Sequence, residues 1–281
     1  MAKLLEGKPL AEKIKQEIKR QVQSLGFKPV LASIMVGENI GAKAYVRSQE
    51  AVASDLGIGY QFHELAGQEA TEVKLIGLID KLNLDNSVNG IIIQMPLPQQ
   101  IDYKKVRKFI SPDKDVEGIN PVNIGQVMLG KAKIVPCTAS AVMELLNSTG
   151  INLYGKEIKI VGYSEIVGKP LATLLLERFA TVSICHIATN EVGNLEKHVR
   201  EAEVLIVAVG QAGLIKGEWI KEGAIVVDVG ISRLNGKIVG DVEFESAEKR
   251  ASYITPVPGG VGPLTVVILM RNLIEAVRLQ Q

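Results

Sequence analysis

The chain has 281 residues, 47% of them hydrophobic, enough for two small α/β domains or one large one with a sizeable core. With 32 basic against 31 acidic residues the net charge is +1, which leaves no electrostatic footprint for nucleic acid or an acidic membrane surface. Aromatic content of 4% argues for an aliphatic core, and two cysteines, Cys137 and Cys185, with no metal-ligand spacing argue against a disulfide framework and against a metal site.

Met1 to Leu10 carries no long apolar core and so reads as no signal peptide; no apolar run reaches bilayer-spanning length, and a cytoplasmic location is expected. Leu10, Ile14, Ile18, Val22 and Leu25 step by four or three and predict an amphipathic helix ended by Gly26. Val30 to Val36 predicts a strand, Ile40 to Leu56 a helix closed by Gly57, Ile58 to Leu65 a strand, Glu69 to Leu82 a helix, and Gly90 to Gln94 a strand. Such alternation predicts a βαβ array with a parallel sheet. Met95-Pro-Leu-Pro98 stops the last strand, since proline cannot extend a ladder, and ligands of such sheets bind outside the carboxyl ends of the strands, where Gln94 lies.

Ser111 to Thr138 reads as irregular and marks the crossing between domains, with a linking helix from Cys137 to Thr149. The stretch Lys159 to Pro170 then reads as a buried strand, a tight turn at Gly162 and Ser164, and an apolar helix from Val167 through Leu171, Leu174 and Leu175. A strand, a glycine turn and a helix start offer unpaired N–H groups and partial positive charge to a phosphate. The spacing, Gly-x-Ser-x-x-x-Gly, meets only half of the generic dinucleotide fingerprint, so alone it fits an ordinary α/β turn equally well. Further strands at Thr181 to His186, Val204 to Gly210, Ala224 to Gly230 and Ser252 to Thr255, about six in all, predict a doubly wound Rossmann-type domain. A last helix, Leu264 to Leu279, is expected to pack back on the first domain.

The motifs Gly162-Tyr-Ser-x-x-Val-Gly-x-Pro170, Gln94-x-Pro-Leu-Pro98, Lys114-Asp-Val-Glu-Gly118, Pro136-Cys-Thr138, Gly217-Glu-Trp-Ile220, Asp228-Val-Gly-Ile231, Gly240-Asp-Val242 and Thr255-Pro-Val-Pro-Gly-Gly-Val-Gly-Pro263 stand in one order. Together they resemble the methylenetetrahydrofolate dehydrogenase/cyclohydrolase family, the bifunctional FolD proteins, from about Leu5 to Ala276. The resemblance implies two α/β domains: a folate-binding catalytic domain of residues 1–138 plus the helix at 264–281, and a Rossmann-type NAD(P)-binding domain of residues 139–263. It further implies a homodimer, with tetrahydrofolate substrate held in a cleft between the domains. The implied reactions are oxidation of 5,10-methylenetetrahydrofolate by a nicotinamide cofactor and hydrolysis of the methenyl product to 10-formyltetrahydrofolate.

Carried onto this chain, the resemblance makes Tyr45, Gln49, Gln94 and Asp115 the catalytic candidates, and Tyr45, Gln94, Glu117, Pro258, Gly259 and Gly260 the substrate-binding ones. Gly162, Tyr163, Ser164, Val167, Gly168, Pro170, Ile187, Gly210, Gly230 and Ile231 would hold the cofactor. The main departure is Tyr45-Val-Arg-Ser-Gln49, where the family pattern is Tyr-x-x-x-Lys; residues four apart share a helix face, so Gln49 stands where the family has its lysine. Hydride removal needs no general base, but hydrolysis moves protons, work that positioned acid–base groups speed by about 10²- to 10⁴-fold. Glutamine cannot titrate, so the dehydrogenase is expected to persist and the cyclohydrolase to be weak. A fully bifunctional enzyme working through a water relay, and a folate- or nucleotide-binding protein without turnover, are the alternatives. Glu117 replaces the second aspartate of the family's Asp-Val-Asp-Gly, one methylene further out. Where NADP-using members place an arginine and a serine around the 2′-phosphate, this chain has Tyr163 and Ile187; no cation is expected there, which favours NAD over NADP.

Overall fold

The computed structural model describes the backbone of residues 1–281 and every side chain except those of Ile40 and Gln68. Contacts divide the chain into two compact units, one of Lys13–Cys137 with Val266–Gln281, the other of Met1–Glu12 with Thr138–Thr265. No described helix is long and apolar enough to cross a membrane.

In chain order the first half runs β1 (Lys3–Leu4), α1 (Gly7–Ser24), β2 (Val30–Val36), α2 (Ile40–Asp55), β3 (Gly59–Leu65), α3 (Glu72–Leu84), β4 (Gly90–Ile93), α4 (Tyr103–Val106), α5 (Pro121–Met128) and α6 (Cys137–Ser148). Polar caps set the helix starts: Asn39 Oδ1 accepts from Ala42 N, and the Thr71 side chain from Lys74 N. β3, β2 and β4 form a parallel sheet in that order, with Leu31 opposite Tyr60 and Ser33 opposite Ile92. Successive side chains point to opposite faces. Ala32, Ile34 and Val36 therefore share one face with Ile91 and Ile93, and these pack with Leu75, Ile79 and Leu82 of α3 into an aliphatic core. Ser33 and Tyr60 belong to the other face, and Gln94, one residue past β4, continues the same alternation, its N–H donating to Ile34 O at 2.8 Å. One face of the sheet thus builds that core, while the other carries the polar groups Ser33, Tyr60 and Gln94 beside buried Leu31, Met35 and Ile92.

The stretch expected to be irregular, Ser111 to Thr138, contains α5, with Asn120 Oδ1 accepting from Val122 N and Pro121 in the first turn. Eight residues are too few for helical periodicity to stand out.

The second half runs β5 (Glu157–Val161), α7 (Gly168–Leu176), β6 (Thr181–Cys185), α8 (Ile187–Glu191), α9 (Leu195–Glu201), β7 (Val204–Val207), β8 (Ile225–Asp228), β9 (Ser232–Leu234), β10 (Lys237–Val239), α10 (Phe244–Ala247), β11 (Tyr253–Ile254) and α11 (Gly262–Leu279). Six strands make one parallel sheet in the order β1-β11-β8-β7-β5-β6, whose central strands are buried throughout. β9 and β10 form a separate hairpin closed by Asn235 and Gly236, both at positive φ (51° and 78°), a two-residue turn that the sequence reading passed over.

The first twelve residues go with this second unit, not with the N-terminal domain to which the sequence division assigned them. Lys3 pairs with Tyr253 and Leu4 with Ile254, and Leu5 N donates to Ile254 O at 2.8 Å. An edge strand of two residues has no periodicity to read.

Candidate active site

On the polar face of the three-stranded sheet, four side chains close a hydrogen-bonded ring. Tyr60 Oη donates to Gln49 Oε1 at 2.9 Å, Gln94 Nε2 donates to the same oxygen at 2.8 Å and to Ser33 Oγ at 2.9 Å, and Tyr60 and Ser33 hydrogen-bond each other. Gln49 reaches the ring from α2 and is 0% exposed; Gln94 is 2% exposed. Burial pushes the Tyr60 hydroxyl up to about 12, with the Ser33 hydrogen bond opposing it. Gln49 Nε2 is buried without a partner. Tyr45, one turn earlier on α2, is 39% exposed. Lys43 is engaged by Glu64, 3.3 Å away.

Sequence reasoning found Gln49 and Gln94 but missed Ser33 and Tyr60. Their signal was available in principle: a serine and a tyrosine in register positions that share the Gln94 face.

Asp115 and Glu117 lie two residues apart on one loop and have different surroundings. Asp115, 1% exposed, accepts from Gly118 N (3.2 Å), Asn120 N (2.7 Å) and Asn123 Nδ2 (2.9 Å). Burial raises its carboxyl and these bonds oppose the rise. Both oxygens are occupied by its own neighbourhood, so Asp115 shapes the loop that presents Glu117. Gly118, at φ 71°, lies so close to residues 135–136 that a Cβ would sit 2.7 Å from the Val135 carbonyl carbon, which pins that loop. Lys114 donates to the carbonyls of Leu82, Asn83 and Asp85 (3.0, 2.8 and 2.8 Å), closing the end of α3. Asn272 of α11, unforeseen from the sequence, donates to Val116 O and Val135 O, each at 2.9 Å. Glu117 itself is half-buried, hydrogen-bonded by Tyr103, and has one buried oxygen without a partner. Desolvation first, and then repulsion from Asp115, push its carboxyl up to about 8.

The nucleotide-binding candidates lie in the other unit. At the end of β5, Gly162 (φ 133°) approaches β7 so closely that a Cβ would sit 2.4 Å from Ala208 O, which admits only glycine. Ser164 Oγ accepts from Val167 N and Gly168 N at 3.0 and 3.4 Å, setting the start of α7, whose first turn carries no acidic residue. A glycine turn feeding such a helix start suits a dinucleotide phosphate. Gly210 follows β7, and Gly230 and the exposed Ile231 follow β8. Two carboxylates hold these loops: Asp241 Oδ2 accepts from Val209 N and Gly210 N (2.7 and 2.8 Å), and Asp228 accepts from Gly230 N, Asp241 N and Val242 N (2.9, 3.1 and 2.9 Å). Burial raises Asp228 to about 6. Pro258, Gly259 and Gly260 are in this same unit, with Gly260 N donating to Pro256 O and Gly7 N to Gly259 O.

One expectation fails here. Lys169 Nζ stands 4.3 Å from the centroid of the Tyr163 ring, and the His186 ring lies edge-on to it at 5.8 Å. A cation does accompany position 163: the start of α7 carries residue 169 back over the turn. Ile187 is 76% exposed and offers no charge.

The family model described as tetrahydrofolate dehydrogenase/cyclohydrolase, catalytic domain, matches residues 5–117, and that described as tetrahydrofolate dehydrogenase/cyclohydrolase, NAD(P)-binding domain, matches residues 136–281. The bifunctional protein FolD of Geotalea daltonii is 48% identical over 282 residues, covering 99% of each chain. The crystal structure of the bifunctional FolD methylenetetrahydrofolate dehydrogenase/cyclohydrolase of Campylobacter jejuni is similar at a TM-score of 0.95, with 44% identity over 100% of both chains. That of Trypanosoma brucei FolD, complexed with NADP and an inhibitor, has a TM-score of 0.93 and 38% identity, covering 99% of this chain and 98% of the other.

Proposed function

This chain belongs to the tetrahydrofolate dehydrogenase/cyclohydrolase family and is an enzyme of it, and on that premise we propose that it oxidises 5,10-methylenetetrahydrofolate efficiently while hydrolysing the methenyl product weakly. The unit built on the three-stranded sheet would carry the folate chemistry, and the unit built on the six-stranded sheet the nicotinamide dinucleotide. The bound dinucleotide supplies the hydride acceptor.

Hydride leaves the methylene carbon with its electron pair, and the two flanking nitrogens share the resulting positive charge. No proton moves, so the residues have only to orient the substrate. Tyr45, Gln94 and Glu117 are assigned that work. Hydrolysis adds water to the methenyl carbon, opens one carbon–nitrogen bond and releases a proton, and it is here that an acid–base group matters.

The observation carrying the proposal is that the ring around Gln49 holds nothing that titrates near neutral pH: two amides, a serine, and a tyrosine whose hydroxyl stands at about 12. A second reading, full bifunctionality, draws on Glu117, which at about 8 holds a proton at neutral pH and so offers an acid elsewhere on the site. Following reduced cofactor and methenyl product separately tests both. Methenyl product that accumulates and decays at the buffer rate supports the first; decay that the enzyme accelerates, and that Glu117→Gln abolishes, supports the second.

For the cofactor, the expected preference for NAD rested on Tyr163 and Ile187 standing where 2′-phosphate ligands would be, with no cation at either. Lys169 provides one, and we infer that NADP is accepted as well as NAD.

A further inference from the structure

The ring of Ser33, Gln49, Tyr60 and Gln94 leaves one group over. Gln49 Oε1 accepts two hydrogen bonds, which uses both of its lone pairs, while Nε2 of the same amide is buried with none. A buried N–H without an acceptor is costly, more so than a buried carbonyl without a donor. The two ends of an amide have nearly the same shape, so the ring has a second way to close. With both amides turned over, Gln94 would accept from Gln49 and Ser33, Tyr60 would donate to Ser33, and the Gln49 carbonyl would be the group left without a partner.

Two donors favour the first arrangement, Tyr60 Oη at 2.9 Å and Gln94 Nε2 at 2.8 Å. Gln94 turns with the ring and can serve either sense as donor or acceptor. The Tyr60 hydroxyl is the member that tips the balance, since its proton is firmly held and given to Gln49. We propose that Tyr60 is a positioning residue: its hydroxyl holds the Gln49 carbonyl within the ring, so that the Gln49 N–H groups are the ones left over, as donors to an acceptor atom, a carbonyl or ring-nitrogen lone pair, of the bound folate.

Burial strengthens that bond, because no water competes for the donor. Tyr45, exposed one turn away on the same helix face, marks where α2 opens to solvent. The proposal deepens the reading of this chain as a folate dehydrogenase and rests on it.

The test is steady-state dehydrogenase kinetics of Tyr60→Phe, Gln49→Glu and the double variant, with methylenetetrahydrofolate varied at saturating cofactor. Tyr60→Phe lets the amide turn over. Gln49→Glu keeps one oxygen for Tyr60 and Gln94 but replaces the unpartnered donor with an acceptor. Each single variant is expected to raise the folate KM roughly tenfold with kcat within about twofold and the cofactor KM unchanged. The double variant should be no worse than either single one, because both remove the same donor.

An unchanged folate KM in Tyr60→Phe, or losses that multiply in the double variant, would overturn the proposal. Should Tyr60→Phe fail to fold, Gln49→Glu decides alone. Lowering the pH to protonate the introduced carboxyl restores a donor, so its folate KM should fall toward the wild-type value; a pH-independent KM would count against the proposal. The decay of methenyl product is followed in the same experiment and bears only on the cyclohydrolase half, so the two readings fail separately.

Discussion

In the nucleotide-binding unit, Asp228 accepts from three backbone N–H groups and Asp241 from two through Oδ2, its Oδ1 being buried without a partner, and together they fix the loops after β7 and β8. In the other unit, the Gln49 amide keeps a buried N–H without a partner and Glu117 a buried oxygen without one, although Asp115, two residues before Glu117, has both oxygens bonded. The difference separates construction from chemistry. A carboxylate that bonds backbone N–H groups is part of the scaffold, even where, as at Asp241, one oxygen is left over, whereas Gln49 and Glu117 bond only side chains and keep capacity for a use outside it.

The sharpest way to break this division is at Asp228. Asp228→Ala strands three backbone donors, and a loss of about 3–5 kcal/mol in unfolding free energy is expected by denaturant titration, with cofactor binding lost alongside. A loss below about 1 kcal/mol would show that those bonds do not hold the loops.

Glu117 sharpens the other side. Its folded value near 8 stands above the ordinary 4.5, so between those pH values the folded chain keeps a proton that the unfolded chain has released. Stability from this group is fully present below about pH 4.5 and is lost as pH rises to about 8, by at most about 1.4 kcal/mol per pH unit. Glu117→Gln should flatten that part of the stability–pH curve; an unaltered curve would place Glu117 in water.

The smallest effect concerns Lys169. Lys169→Ala should weaken NADP binding about tenfold, near 1.4 kcal/mol, and leave NAD binding within about twofold, read by fluorescence titration. Equal losses for both cofactors would remove Lys169 from the 2′-phosphate.

Much of this was legible in the sequence. The apolar runs of β2 and β4, the glycine-closed α2 and the Gly162 turn follow from local rules, and they place Gln49, Gln94 and the cofactor candidates. What escaped was non-local or short. Tyr60 joins Gln49 only because β3 pairs with β2 in one register, and Lys169 meets Tyr163 only because a turn brings them together. β1 has two residues, and its partner lies some 250 positions away at Tyr253 and Ile254. Asp228 and Asp241 sat inside recognised motifs, but nothing in either motif says that their carboxylates bind backbone 13 to 32 residues away.

The central claim is that a chain whose Gln49 ring has no titratable member oxidises the methylene substrate and hydrolyses the methenyl product only weakly. The direct measurement adds the purified protein to preformed methenyltetrahydrofolate, without cofactor, and follows its absorbance in wild type and in Gln49→Lys. The account predicts decay at the buffer rate with wild type, and acceleration of about 10²-fold or more once the lysine is introduced. Wild-type protein that speeds the decay by that factor would contradict it.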